Sequence, residues 1–113
     1  MAIYENLPVY KTSYDLLIIT FSTIKAFPKE YKYSIGDKIK SETIDLILNI
    51  YKANLSKDKT EKLILAREKI EIIRLFSRVC RDLKIINLNK YIEINLLIES
   101  ISKQLFAWSK SLG

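Results

Sequence analysis

The chain has 113 residues with a formal net charge of +6, 49% hydrophobic and 28% charged residues, two glycines, two prolines, one cysteine and no histidine. That length bounds the protein to one domain, 1–113, and the composition is that of a packed globule rather than a disordered segment. So few turn-forming residues exclude a sheet-rich fold, and the missing histidine removes the commonest general base and metal ligand.

Apolar residues recur at helical spacing along the whole chain. In the first segment Tyr10, Tyr14, Leu17, Ile18, Phe21 and Ile24 form one stripe. Pro8 suits a first helical turn, where its missing N–H costs nothing, and Pro28 forbids helical geometry just before it. Helix one is expected over about 8–26. "FPKEYKYSIG" follows as a loop with short turns. Ser34 is placed to cap the second helix, and Asp37 lies near its positive dipole end. That helix is expected over about 35–54, with Ile39, Thr43, Leu46, Ile47, Ile50, Tyr51 and Asn54 inward.

After the polar "SKDKTEK", Asp58 and Glu61 have capping-box spacing, with Asp in the place of Ser or Thr. Leu63, Ala66, Ile70, Ile73, Phe76 or Ser77, Cys80 and Leu83 then define the third helix, about 59–85, expected to be the longest. Asn87 is a cap for the fourth, about 88–110, whose stripe is Ile94, Ile98, Ile101, Leu105, Trp108 and Leu112. Glu99 and Lys103 are spaced for an i,i+4 pair. Short connections make sequential helices antiparallel, so the expected fold is all-α, an up-down-up-down four-helix bundle.

Leu16, Ile19, Leu48, Leu55, Ile92 and Leu96 lie off these stripes. They either widen the core or form a second apolar surface for self-association.

Little catalytic chemistry is available. One cysteine cannot build a zinc site, and Gly36 stands alone, with no glycine-rich phosphate loop around it. Cys80 falls near an apolar stripe and reads as a small buried hydrophobe. No enzyme activity, cofactor or metal is expected. One cysteine fits a reducing cytoplasm, "MAIYENLPVY" does not read as a secretory leader, and no apolar run reaches membrane-spanning length.

All four arginines, Arg67, Arg74, Arg78 and Arg81, fall in the third helix, while the other bases are lysines spread end to end. On a helical wheel the four span roughly 60°. Two uses fit. The fork of each guanidinium can hold two phosphate oxygens, making the row a nucleic-acid track. Alternatively the arginines pair with Glu71 and Asp82, or with acids across a subunit contact. In "PKEYKY", Lys29 and Lys32 alternate with Tyr31 and Tyr33, a pattern suited to phosphate contact and base stacking, or to closing the end of the core.

The succession "LPVYKTSYDLL", "FPKEYKYSIGDKI", "IIRLFSRVCRDLK" and "QLFAWSKSL" resembles a small four-helix-bundle family over about residues 7–112. That family includes the accessory variability determinant (Avd) of diversity-generating retroelements and proteins encoded in intervening sequences of large-subunit ribosomal RNA genes. The intervening-sequence relatives carry an "NIAEG"-like segment; this chain has "NIYKAN" at 49–54, which leans toward the Avd side. The resemblance implies a homopentameric barrel and binding to nucleic acid, RNA or DNA. It also implies partnership with a reverse transcriptase that copies a template-repeat RNA mutagenically. Arg74 and Arg78 match the family's basic positions, and Lys29 matches more weakly; Arg67 and Arg81 rest on the wheel. The alternative is an intervening-sequence-type protein-interaction module without a nucleic-acid role.

Overall fold

The computed structural model describes residues 7–112. Four long helices and one single-turn helix occur among them, with no strand: α1 (Pro8–Ile24), α2 (Lys29–Lys32), α3 (Ile35–Leu55), α4 (Thr60–Asp82) and α5 (Leu88–Ser111). The long helices pack as a closed square in which α1 meets α3, α3 meets α4, α4 meets α5, and α5 returns to α1. The bundle measures 43 × 22 × 21 Å.

The helix ends have local causes. Pro8 stands in the first turn of α1. The last turn of α1 unwinds through Ala26 N–H to Thr23 and Phe27 N–H to Ile24, so it ends two residues earlier than expected. Part of the expected loop is the single turn α2. Ser34 precedes α3 but does not cap it, because its hydroxyl donates to the Glu30 carbonyl at 2.7 Å. At the other end of α3, the Lys59 ammonium donates to the carbonyls of Ala53, Asn54 and Ser56 at 2.8–3.1 Å. A cation there satisfies orphaned acceptors and opposes the negative end of the helix dipole. The Asp58 carboxylate accepts from Thr60 N–H at 3.0 Å at the start of α4. Asn87 caps α5, accepting from Lys90 N–H at 2.8 Å. At 24 residues α5 is one longer than α4, so α4 is not the longest helix.

α4 stops at a Schellman turn. Lys84 takes φ 60°, its N–H donates to Arg81, and Ile85 N–H reaches back to Cys80. Left-handed backbone is the usual place for glycine, so a lysine here is mildly strained. Ile85 and Cys80 share a cluster, the apolar contact that accompanies such turns.

The core has two parts. The larger runs along the bundle and holds Leu16, Leu46, Ile50, Leu63, Ile70, Ile73, Ile98, Ile101 and Leu105. The smaller closes one end, where α2 and the α4–α5 turn meet around Ile24, Phe27, Ile39 and Cys80. Gly36 is needed there: a Cβ would sit 2.9 Å from Ile24 Cγ2 and 3.2 Å from the Tyr31 carbonyl oxygen.

The inward faces of α3, α4 and α5 largely follow the expected stripes, except that Leu83 and Leu112 are exposed. That of α1 does not. Its buried residues are Val9, Ser13, Leu16, Thr20 and Ile24, while Tyr14 and Ile18 are exposed. Leu16, off the expected stripe and read as either widening the core or joining a second apolar surface, is completely buried at 0% and so belongs to the core. α1 is apolar over much of its circumference, so periodicity alone misplaced its inner face by more than a quarter turn. Small Ser13 and Thr20 point inward, and the larger side chains are displaced to the outside.

Two apolar flanks result on opposite sides of the square. One spans α1 and α3, with Tyr14, Ile18, Ile44, Leu48 and Leu55 exposed. The other spans α4 and α5, with Ile64, Leu75, Leu88, Ile92, Leu96 and Phe106 exposed.

Candidate nucleic-acid interface and the arginine row

Three arginines are used within the bundle. Arg67, Arg74 and Arg81 are spaced by seven, a repeat that keeps a stripe facing one neighbour. The neighbour is α5, running the opposite way. The Arg67 guanidinium lies 5.5 Å from the Phe106 ring centroid. Arg74 pairs with Glu99 of α5 and with Glu71 at 3.2 Å. Arg81 lies 4.8 Å over the Tyr91 ring, donates to Asp82 at 3.0 Å, and approaches the Tyr91 hydroxyl at 3.4 Å. The row is therefore the outer seal of the α4–α5 seam. Each contact across it is a cation–π or partly exposed ionic contact, individually worth up to about 1 kcal/mol.

The sequence-expected pairs are only partly formed. Glu71 meets Arg74 as expected, while Asp82 pairs with adjacent Arg81 rather than with Arg78. Glu99 goes to Arg74 instead of Lys103, because an arginine across the seam offers a second donor site in a less exposed setting. Arg78 is exposed and carries no ion pair or ring contact among the described residues.

Lys29 is exposed at the start of α2. In the same turn Tyr33 is 65% exposed with the Lys32 ammonium 6.0 Å from its ring, whereas Tyr31 packs on the smaller core. One tyrosine of "PKEYKY" is thus free to stack and the other closes the bundle. Lys84 is exposed on the α4–α5 turn at the same end. Lys29, Lys32 and Tyr33 at α2 and Lys84 on the α4–α5 turn lie at the same end of the bundle, Arg78 lies about one turn inward along α4, and Arg67 lies near the opposite end.

The least expected polar feature is a buried ionic cluster between α3 and α4. Glu42 is 3% exposed. Lys38 and Lys69 each place an ammonium 2.9 Å from its carboxylate, and Lys69 lies 3.9 Å from Asp45. Burial pushes the Glu42 carboxyl up, but the two lysines outweigh it and hold the group below its ordinary value. The bond to Glu42 raises Lys69, against the opposing effect of burial. Its sequence signal was faint: Glu42 sits one residue before Thr43 on the inward stripe, with Lys38 four residues earlier.

Burial alone pushes the Cys80 thiol up to about 11, which suits a packing residue and not a nucleophile. Among the described residues no group of three or more side chains could hold a metal ion, and no helix is long and apolar enough to cross a membrane.

No curated protein matches the chain. Among solved structures, it is similar to a protein of unknown function from the S23 ribosomal protein family of Bacteroides thetaiotaomicron. The two share 19% identity with a TM-score of 0.85, over 96% of this chain and 99% of the other. At that identity the likeness carries the fold, all-α with four long helices. A family model described as bAvd-like matches residues 8–112, nearly all of the described bundle, and the chain belongs to that bAvd-like family.

Proposed function

We propose that the protein is a non-catalytic nucleic-acid-binding accessory factor. It acts as a homo-oligomer, a pentamer by family resemblance, beside the reverse transcriptase of a diversity-generating retroelement during template-RNA-primed mutagenic cDNA synthesis. Membership of the bAvd-like family is the observation that carries this reading. The +6 charge supports it, as do exposed Lys29, Tyr33, Lys84 and Arg78 and half-buried Lys32 toward one end of the bundle. Lysines and Arg78 would hold phosphate while Tyr33 stacks on an unpaired base. Arg74, Arg81 and Arg67 would contribute positive potential beside that contact while remaining bonded to α5.

The test is the salt dependence of RNA binding. Lys29→Ala, Arg78→Ala and Lys84→Gly together should lower the slope of log K against log salt by about 2, since each single-strand phosphate contact accounts for roughly 0.7. Arg74→Ala should lower stability and leave the slope nearly unchanged. An unaltered slope in the triple variant would remove the nucleic-acid contact from this end of the bundle. Co-purification with the reverse transcriptase of the same element tests the partnership.

The second reading is a protein-interaction module of intervening-sequence type with no nucleic-acid role. The engagement of Arg67, Arg74 and Arg81 with α5 favours it. It requires that the wild-type protein show no salt-dependent affinity for RNA.

A further inference from the structure

We propose that a cavity between α1 and α4, at the edge of the smaller core, binds one water molecule that joins the hydroxyls of Thr20 on α1 and Ser77 on α4. The site does not depend on the nucleic-acid reading above.

Its origin lies in the packing. α1 and α4 are diagonal in the square, and each packs instead on α3 and α5. Neighbouring helix axes lie about 8–10 Å apart, so a diagonal pair lies roughly 11–14 Å apart. Large side chains close such a gap elsewhere in the bundle. Here the inward residues are Thr20, 4% exposed, and Ser77, 7% exposed. Two short side chains leave space between the helices. The cavity that results has a volume of about 20 Å³, with Thr20, Thr23 and Ser77 in a wall otherwise made of apolar side chains and Cys80.

The volume fits a water, which needs at least about 10–15 Å³ of such space and two to four polar partners. Cavities lined only by apolar groups stay dry; this one carries three hydroxyl-bearing residues.

Ser77 supplies a second and independent observation. Its hydroxyl is buried and has no hydrogen-bond partner among the described residues. A helical serine or threonine commonly donates to the carbonyl four residues back. Thr23 does so to Ile19 at 2.6 Å and Thr43 to Ile39 at 2.7 Å. Ser77 does not. A buried hydroxyl without a partner costs its full desolvation, whereas a water offers it both a donor and an acceptor. Thr23 has given its proton to Ile19 and keeps lone pairs that accept from water. Thr20 and Ser77 can each donate or accept. Three hydroxyls are about the number of partners a buried water takes.

The experiment pairs a crystal structure of the wild-type protein, at a resolution that shows single waters, with urea unfolding of Thr20→Val, Ser77→Ala and the double variant. Thr20→Val keeps the shape and the β-branch and removes the hydroxyl. The density should show one peak at about 2.7–3.2 Å from the hydroxyl oxygens of both Thr20 and Ser77. Thr20→Val should lower the urea midpoint in the wild type. It should lower it by less than half as much when residue 77 is already alanine, because the water has then lost a partner. The intrinsic helix preference of alanine cancels in that comparison. A cavity without density, with additive midpoint shifts, would overturn the proposal. Coupled shifts without a density peak would show a direct bond between the two hydroxyls and overturn it as well. A peak with additive shifts would mean a water that links nothing, which also refutes the joining role.

Discussion

Lys69→Met tests the buried ionic cluster most directly. The substitution keeps the stem that packs between α3 and α4 and removes the ammonium 2.9 Å from Glu42. Glu42 would remain buried, with Lys38, itself half-exposed, as its partner. Removing one member of a fully buried pair costs about 3–5 kcal/mol. Lys38 remains and Lys69 is partly solvated, so the expected loss at pH 7 is nearer 2 kcal/mol. With a urea m-value of about 1.5 kcal/mol per molar, the unfolding midpoint should fall by roughly 1.3 M with m unchanged.

The pH dependence gives the argument its sign. In the wild type the folded Glu42 pKa is depressed, so its contribution is complete above the ordinary value of 4.5 and is lost as pH falls through the folded pKa. In the variant burial dominates, the folded pKa rises above the unfolded one, and acidification relieves the penalty. The gap between the two proteins should therefore narrow from pH 7 to pH 4. A gap that stayed constant over that range, or one below about 0.5 kcal/mol at pH 7, would mean that the cluster is solvated and energetically minor. Adding Glu42→Leu to Lys69→Met should recover most of the loss, because no unpaired buried charge remains.

Three further outcomes are expected. Lys84→Gly should stabilise the protein by about 1 kcal/mol, read as a higher urea midpoint, by relieving the left-handed backbone at the end of α4. Gly36→Ala should destabilise it by about 1 kcal/mol despite a better helix former, because the added methyl meets Ile24 and the Tyr31 carbonyl; a gain in melting temperature would show that the end of the bundle yields easily. The Cys80 thiol should resist Ellman's reagent at pH 8 in the native state and react promptly in urea, since burial keeps it protonated to about 11; rapid native labelling would contradict its packing.

Much of the architecture is readable from short-range pattern. Pro8, Asn87 and the polar break at 56–59 mark helix boundaries because they act on neighbouring backbone groups. The inner faces of α3, α4 and α5 follow from 3.6-residue periodicity because each has a polar side to contrast with. α1 lacks that contrast, and its apolar circumference left the orientation to its neighbours. The seven-residue spacing of Arg67, Arg74 and Arg81 was visible as one stripe, and such spacing also marks a seam between helices. What it faces could not be read, because Tyr91, Glu99 and Phe106 belong to a helix running the other way.

By itself, then, the sequence determined an all-α chain of four long helices with a basic surface and without histidine chemistry. These depend on residues within a turn or two of one another. Tertiary packing decided which side of α1 is inside, which arginines are occupied and that Arg78 stays open, and that Glu42 is buried against Lys69. The reason is physical. Intrahelical bonds reach four residues, whereas a side chain's partner across a seam depends on the register and rotation of two helices joined by a turn.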